Sequence, residues 1–186
     1  MQDFVAPILP PKVYDGVRRV LIEARGNVYD SLKNRYRKLP GDWVRANIFR
    51  PWPSSTPGGY ILRIYPGLHL NMNHQPELGI TFEPRRGATG KVFESGQALV
   101  TQRIASSSTG WDKVFRLTSK HASIVHPDLQ WIISMPLKTG RGRPIGVMNI
   151  DGLHKQFKID VLYKCMEDVT DEAVIIVVIP KIWTSE

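Results

Sequence analysis

Apolar residues near the start of the chain recur at steps of three and four. Val13, Val17, Val20, Leu21, Ala24, Val28 and Leu32 form one stripe, which predicts an amphipathic helix over residues 12–39. Gly26-Asn27 interrupts the stripe and predicts a kink or a split there, since a mid-helix glycine costs about 1 kcal/mol. Pro40-Gly41 ends it. The period then changes. Residues 43–49 (WVRANIF) and 60–65 (YILRIY) read as two strands, with PWPSSTPGG between them as a loop. Residues 67–77 are polar and irregular, and 78–82 (LGITF) predict a short third strand. A Gly-rich turn at 85–90 leads into a short helix at 91–94, closed by Gly96. A fourth strand follows at 98–102, then a helix at 111–120 burying Trp111, Val114, Phe115 and Leu117, then an irregular stretch at 121–128.

The richest segment is 131–152, WIISMPLKTGRGRPIGVMNIDG. As a strand, 131–137 puts Trp131, Ile133, Met135 and Leu137 on one face and Ile132, Ser134 and Pro136 on the other. In 144–151, Ile145, Val147 and Asn149 share one face, and Gly146, Met148 and Ile150 the other. Apolar residues on both faces predict an interior strand pair covered on both sides. The turn between them is basic, with Lys138, Arg141 and Arg143. A closing helix from 159 to about 176 has Leu162, Cys165, Met166, Val169 and Ala173 as its apolar stripe. The β-branched run at 174–179 predicts an extended tail. The order of elements is that of an α+β domain built on a mostly antiparallel sheet. Residues 1–186 are expected to form one domain, with an N-terminal helix at 10–39, a sheet core at 42–158 and a C-terminal helix at 159–179.

Composition narrows the class. The 186 residues are 42% hydrophobic and 23% charged, as in ordinary globular proteins. The one cysteine, Cys165, excludes an internal disulfide and suggests a reducing compartment. No signal-peptide core and no apolar run long enough for a bilayer is present, so a cytoplasmic protein without a membrane span is expected. The net charge of +8 is uneven: residues 10–50 hold ten Lys/Arg against four Asp/Glu, and 151–186 hold four against seven. A basic N-terminal helix can attract anionic partners. Aromatic interleaving and a reading motif are missing, so a basic nucleic-acid- or anion-binding module stands only as an alternative.

Catalytic patterns are absent. Gly87-Ala88-Thr89-Gly90-Lys91 resembles part of a phosphate loop, but Arg85 and Val92 stand where a Walker loop needs Gly and Ser or Thr. The helix start there, with Arg85, Arg86 and Lys91, is a weak anion-binding candidate. His69/His74 and His121/His126 are five apart, the wrong spacing for a zinc pair on one helix face, and no metal site is expected. No nucleophile elbow or Ser/His/Asp grouping stands out.

The segment 78–152 resembles the GAF family of sensory domains. The resemblance rests on Gly87-x-x-Gly90-x-Val92-x-x-x-Gly96, then Ser134-Met135-Pro136-Leu137, then Gly142-Arg143-Pro144-Ile145-Gly146-Val147 with Asn149-Ile150-Asp151 after it. It implies a GAF-like central antiparallel sheet of five or six strands, with N- and C-terminal helices on one face and a ligand pocket on the other. It also implies a small-molecule-binding sensory or regulatory module without catalytic activity, its ligand and cofactor unknown. Trp111, Asp112, Phe115, His121, Trp131, Ser134 and Met148 are the ligand-binding candidates. Trp131 departs from the small residue many members carry there, and would fill the pocket instead of lining it. That motivates the alternative of a structural or dimerisation module. Resemblance to free methionine sulfoxide reductases does not extend to chemistry, because Cys165 is alone on an apolar stripe. A homodimer through the terminal helices is expected. With little chain after the closing helix, a partner protein is expected to supply the output.

Overall fold

The computed structural model describes residues 9–55, 59–103, 117, 119–138 and 142–172. Helix α1 (Pro11–Arg35) is continuous through Gly26. Its stripe of Val13, Val17, Leu21, Ala24, Val28 and Leu32 is buried along its whole length, and that burial outweighs the glycine's cost of about 1 kcal/mol. The helix stops at Arg35, four residues before the expected end, and Leu39 tucks into the core beyond it. Strand β1 (Val44–Pro53) then pairs antiparallel with β2 (Tyr60–Leu70).

Both strands run further than the sequence suggests. Pro51-Trp52-Pro53, expected in a loop, pairs with Leu62, Ile61 and Tyr60. The physical reason is the neighbour on the other side. Strand β6 (Pro144–Leu153) pairs with β1 only from Val44 to Phe49, so the last part of β1 is an edge, where proline's missing N–H is tolerated. In β2, Gly67 has φ +78°, and a Cβ there would stand 2.3 Å from the Tyr14 hydroxyl. The strand needs glycine to continue past α1.

Helix α2 (Gln75–Leu78) takes Leu78 out of the expected third strand, leaving β3 as Thr81–Phe82. The Gly-rich stretch at 87–90 is helical: α3 runs Gly87–Ser95 and ends on left-handed Gly96, whose N–H returns to the Val92 carbonyl. Strand β4 (Leu99–Gln102) follows, then α4 (Ser119–Ile124), which replaces the first half of the expected irregular stretch. Strand β5 (Leu129–Lys138) and β6 form the central hairpin, and α5 (Ile159–Glu172) closes the described chain. The predicted tail at 174–179 lies outside the described residues, as do residues 111–116 of the predicted helix.

The six strands form an antiparallel sheet in the order β3-β2-β1-β6-β5-β4. Helices α1 and α5 pack together on one face. There Trp131, Ile133, Met135, Leu137, Met148 and Ile150 join the helix stripes in the main core. The other face carries a second cluster, including Phe49, Leu62, Ile64, Phe82 and Val147, covered in part by α3. The architecture is therefore the α+β arrangement read from the sequence. No described helix is long and apolar enough to cross a membrane.

Candidate functional site

Strand alternation sends Arg45, Asn47 and Phe49 of β1 to the face opposite the long helices, with Asp151, Asn149 and Val147 of β6 directly across from them. Ser134 of β5 lies opposite Asn149, and Ile132 opposite Asp151. The face is thus ranked: a charged row, an amide and hydroxyl row, then an apolar row. Buried polar rows in an otherwise apolar layer need partners.

The charged row is nearly sealed. The Arg45 side chain is 1% exposed, its Nε donates to Asp151 Oδ1 at 2.6 Å and its Nη1 to Glu77 Oε2 at 2.6 Å. Glu77 arrives from α2 and also accepts the backbone N–H of His126 at 2.7 Å. Burial works against the Arg45 cation, but the two carboxylates outweigh it and hold its pKa above the ordinary value. Burial pushes the Asp151 carboxyl up, against the pull of the Arg45 charge. These tendencies oppose one another, and the short contacts on both arms of the guanidinium favour the ionised triad. Burial and the Arg45 charge together push the His126 imidazole below its ordinary value. His74 and His154 approach His126 with ring centroids 5.3 Å and 6.4 Å away. Among the described residues, no group of three or more His, Cys, Asp or Glu is placed to hold a metal ion.

In the second row Asn149 Nδ2 donates to Asn47 Oδ1 at 3.2 Å and to Thr89 Oγ1 of α3 at 3.0 Å. Asn47 Nδ2 meets the Met72 sulfur at 3.3 Å. Among the described residues, Asn149 Oδ1 and Ser134 Oγ are buried with no hydrogen-bond partner. Above these rows lies a cavity of about 60 Å³, walled by Phe49, Ile80, Phe82 and Ile132 among others, and floored by Arg45, Asn47, Asn149 and Asp151. The first residues of α3, Gly87, Ala88 and Thr89, form one side. Glycine brings α3 that close: a Cβ on Gly90 would stand 2.6 Å from the Glu83 carbonyl.

The candidates from sequence are dispersed. Ser134 sits on the cavity face beside Asn149. His121, on α4, has Nε2 2.8 Å from the Thr81 carbonyl and its ring stacked on Phe82. Trp131 and Met148 lie on the opposite face, in the core beneath α1 and α5, and do not line the cavity. Trp131, Ile133, Met135 and Leu137 of β5 and Met148 and Ile150 of β6 face the helices, and Gly152 leaves room for the Trp131 indole, whose Cε2 stands 2.1 Å from where a Cβ would be. Trp131 therefore neither fills nor lines the cavity. Trp111, Asp112 and Phe115 lie outside the described residues. Of the anion candidates, Arg85 pairs with Glu94 at 2.9 Å and Arg86 with Glu83 at 2.7 Å, both exposed, while Lys91 is exposed on the flank of α3. Cys165 is buried under α1, 3.5 Å from Ser31 Oγ, and burial pushes its thiol up. Arg45, Asn47, Glu77, Thr89, Asn149 and Asp151 were not anticipated as a site. The available signal was polar alternation, Arg45 and Asn47 in β1 and Asn149 and Asp151 in β6, within strands that read as interior.

The chain is similar in structure to GAF domains. A GAF domain from A. aeolicus in an inactive state shares 19% identity over 92% of this chain and 98% of its own, with a TM-score of 0.44. Residues 122 to 287 of a methyl-accepting chemotaxis protein share 20% identity over 86% and 88%, with a TM-score of 0.48. A type II free methionine-R-sulfoxide reductase from Thermoplasma acidophilum shares 13% identity over 84% and 94%, with a TM-score of 0.45. Likenesses of this size concern the fold alone. No protein-family model matches the chain, and no curated protein matches it in sequence.

Proposed function

We propose that this chain is a small-molecule-binding sensory or regulatory module of GAF type, without catalysis of its own. The observation that carries the reading is the cavity, apolar on its walls and polar on its floor, on the sheet face away from α1 and α5. Ligand sites combine such walls with a few fixed polar groups. The buried, unactivated Cys165 supports the non-catalytic reading, because a thiol nucleophile needs a lowered pKa and access.

Output is proposed to pass through the face of α1 and α5, to a second copy or a partner protein. Ile22 on α1 and Ile159 and Tyr163 on α5 are large apolar side chains left 48%, 42% and 42% exposed there. The basic-helix alternative is weakened because Arg25 is spent on the Val44 and Gly41 carbonyls and Arg18 reaches the Gly67 carbonyl. A thermal-shift screen of nucleotides, amino acids and tetrapyrroles tests the binding role. One class should raise the melting temperature saturably, and the cavity-filling change Ile132→Trp should abolish the effect. A flat response across all three classes would sink the reading. Sedimentation with and without the hit tests the output, and an invariant monomer would remove the self-association arm.

A further inference from the structure

At one rim of the cavity, α2 and the turn before β5 are joined by a hydrogen bond from the His126 backbone N–H to Glu77 Oε1, at 2.7 Å. We infer that this contact is an acid-released latch: protonation of the His126 imidazole undoes the turn, frees Glu77 and parts the cavity wall. Its consequence for a ligand rests on the binding role proposed above.

The latch sits where it can act. Glu77 and Ile80 on the α2 side, and Val125 and Leu129 on the turn side, all line the cavity. Within the turn, the His126 carbonyl accepts the Leu129 N–H at 3.1 Å, and Arg103 Nη1 donates to the Pro127 carbonyl at 2.7 Å. The Asp128 N–H donates to His126 Nδ1 at 3.1 Å. That last contact sets the chemistry. A ring nitrogen that accepts a hydrogen bond carries no proton, so the neutral His126 ring bears its proton on Nε2. In acid the second proton goes onto Nδ1, and two N–H donors then face each other. The turn holds only while Nδ1 is bare.

The surroundings give the charged ring little relief. Facing it among the described residues are Arg45 from β1, Glu77 from α2, His74 just before α2, Asp128 from its own turn, Asp151 from β6 and His154 just past β6. Arg45 already holds the Glu77 and Asp151 carboxylates at 2.6 Å each. The Asp128 carboxylate stands nearer His154 Nδ1, at 3.5 Å, than His126 Nδ1, at 3.9 Å. To reach it, a protonated Nδ1 must leave the Asp128 N–H, and the backbone that carries the Glu77 contact turns with it. Burial and the Arg45 charge hold the imidazole below its ordinary 6.5, in keeping with a closed contact that prefers the neutral ring. Closure is therefore favoured above that value and released as pH falls through the lower folded one.

Amide hydrogen exchange of the unmutated chain, followed by NMR at about pH 7.5 and about pH 5 and referred to the unstructured rate at each, tests the latch. Protection at His126 and Ile80 should fall in acid by at least about threefold and at most about thirtyfold, the latter being the preference of an ordinary imidazole for its charged form at about pH 5. The amides of β1 and β6 should keep theirs. His126→Gln keeps the backbone donor and removes the titration, and should abolish the acid loss. Should that variant fail to fold, ring nitrogen shifts of the unmutated His126 decide, with Nδ1 bare at neutral pH and protonated as protection falls. Equal protection at the two pH values, a loss shared by the whole sheet, a loss that survives His126→Gln, or a proton on Nδ1 at neutral pH would overturn the inference. If exchange behaves as expected and no ligand class shifts the melting temperature, the latch stands and the binding role falls. If a ligand class does and protection is indifferent to pH, the latch falls and the binding role stands.

Discussion

Replacing Arg45 with methionine should test how much of the fold hangs on the charged row. Methionine keeps much of the length of the side chain and removes the guanidinium. Glu77 and Asp151, each with a side chain 6% exposed, then face one another without a cation. Breaking a buried ion pair from one side costs about 3–5 kcal/mol, because the remaining charge stays desolvated. With a urea m-value of about 2 kcal/mol per molar, the midpoint should fall by roughly 2 M. Tryptophan fluorescence reads it, since Trp131 is buried beneath the same sheet. The loss should depend on pH in a defined direction. Burial already raises Asp151 above its ordinary 3.8, and Arg45 is the main opposing influence. Without Arg45 the folded-state value rises further. A folded pKa above the unfolded one gives stability that is present below the unfolded value and lost as pH rises through the folded one. The Arg45→Met deficit should therefore be smallest in acid and grow toward neutrality. Adding Glu77→Gln and Asp151→Asn should restore most of the midpoint. A single variant within about 1 kcal/mol of wild type at neutral pH, or a deficit indifferent to pH, would refute the reasoning.

Four further outcomes follow from single positions. Alanine at Gly152 forces a Cβ into the Trp131 indole and should destabilise by about 1–3 kcal/mol, with a shifted emission maximum. The same change at Gly26, with nothing within 4 Å of the new atom, should stabilise by about 0.5–1 kcal/mol in thermal melts. His126, with its pKa held below the ordinary 6.5, contributes stability that is present above that value and lost as pH falls through the lower folded one. His126→Gln should therefore lose less stability than wild type on acidification from about pH 7 to pH 5. Cys165 should resist a thiol reagent in the native state and react on unfolding, and Cys165→Ser should leave ligand binding unchanged.

The fold was legible where burial is periodic within one element. The α1 stripe and the two-faced alternation in β5 and β6 needed no distant partner to be read. Element ends were less legible, because they depend on neighbours: Pro51 and Pro53 belong to a strand only because β6 stops short of them. The site was the least legible part. Arg45 lies 32 residues from Glu77 and 106 from Asp151, and Asn149 lies 60 from Thr89. No local pattern joins such positions. The alternation in 131–137 separated Trp131 from Ser134 onto two faces, but not which face meets the cavity. The helices α1 and α5 decide that by packing on the Trp131 side.

The two prolines at the end of β1 also bear on how copies of this chain can meet. A bare strand edge offers alternating N–H and carbonyl groups to any extended chain that passes, and so seeds sheet-to-sheet stacking. Pro51 and Pro53 remove N–H groups from the stretch where β1 has lost its β6 neighbour. That corner is a poor template for an incoming strand, and the prolines act as gatekeepers against runaway polymerisation. An extended chain arriving at this rim therefore finds carbonyls but not the full ladder of donors it would need to add as a strand.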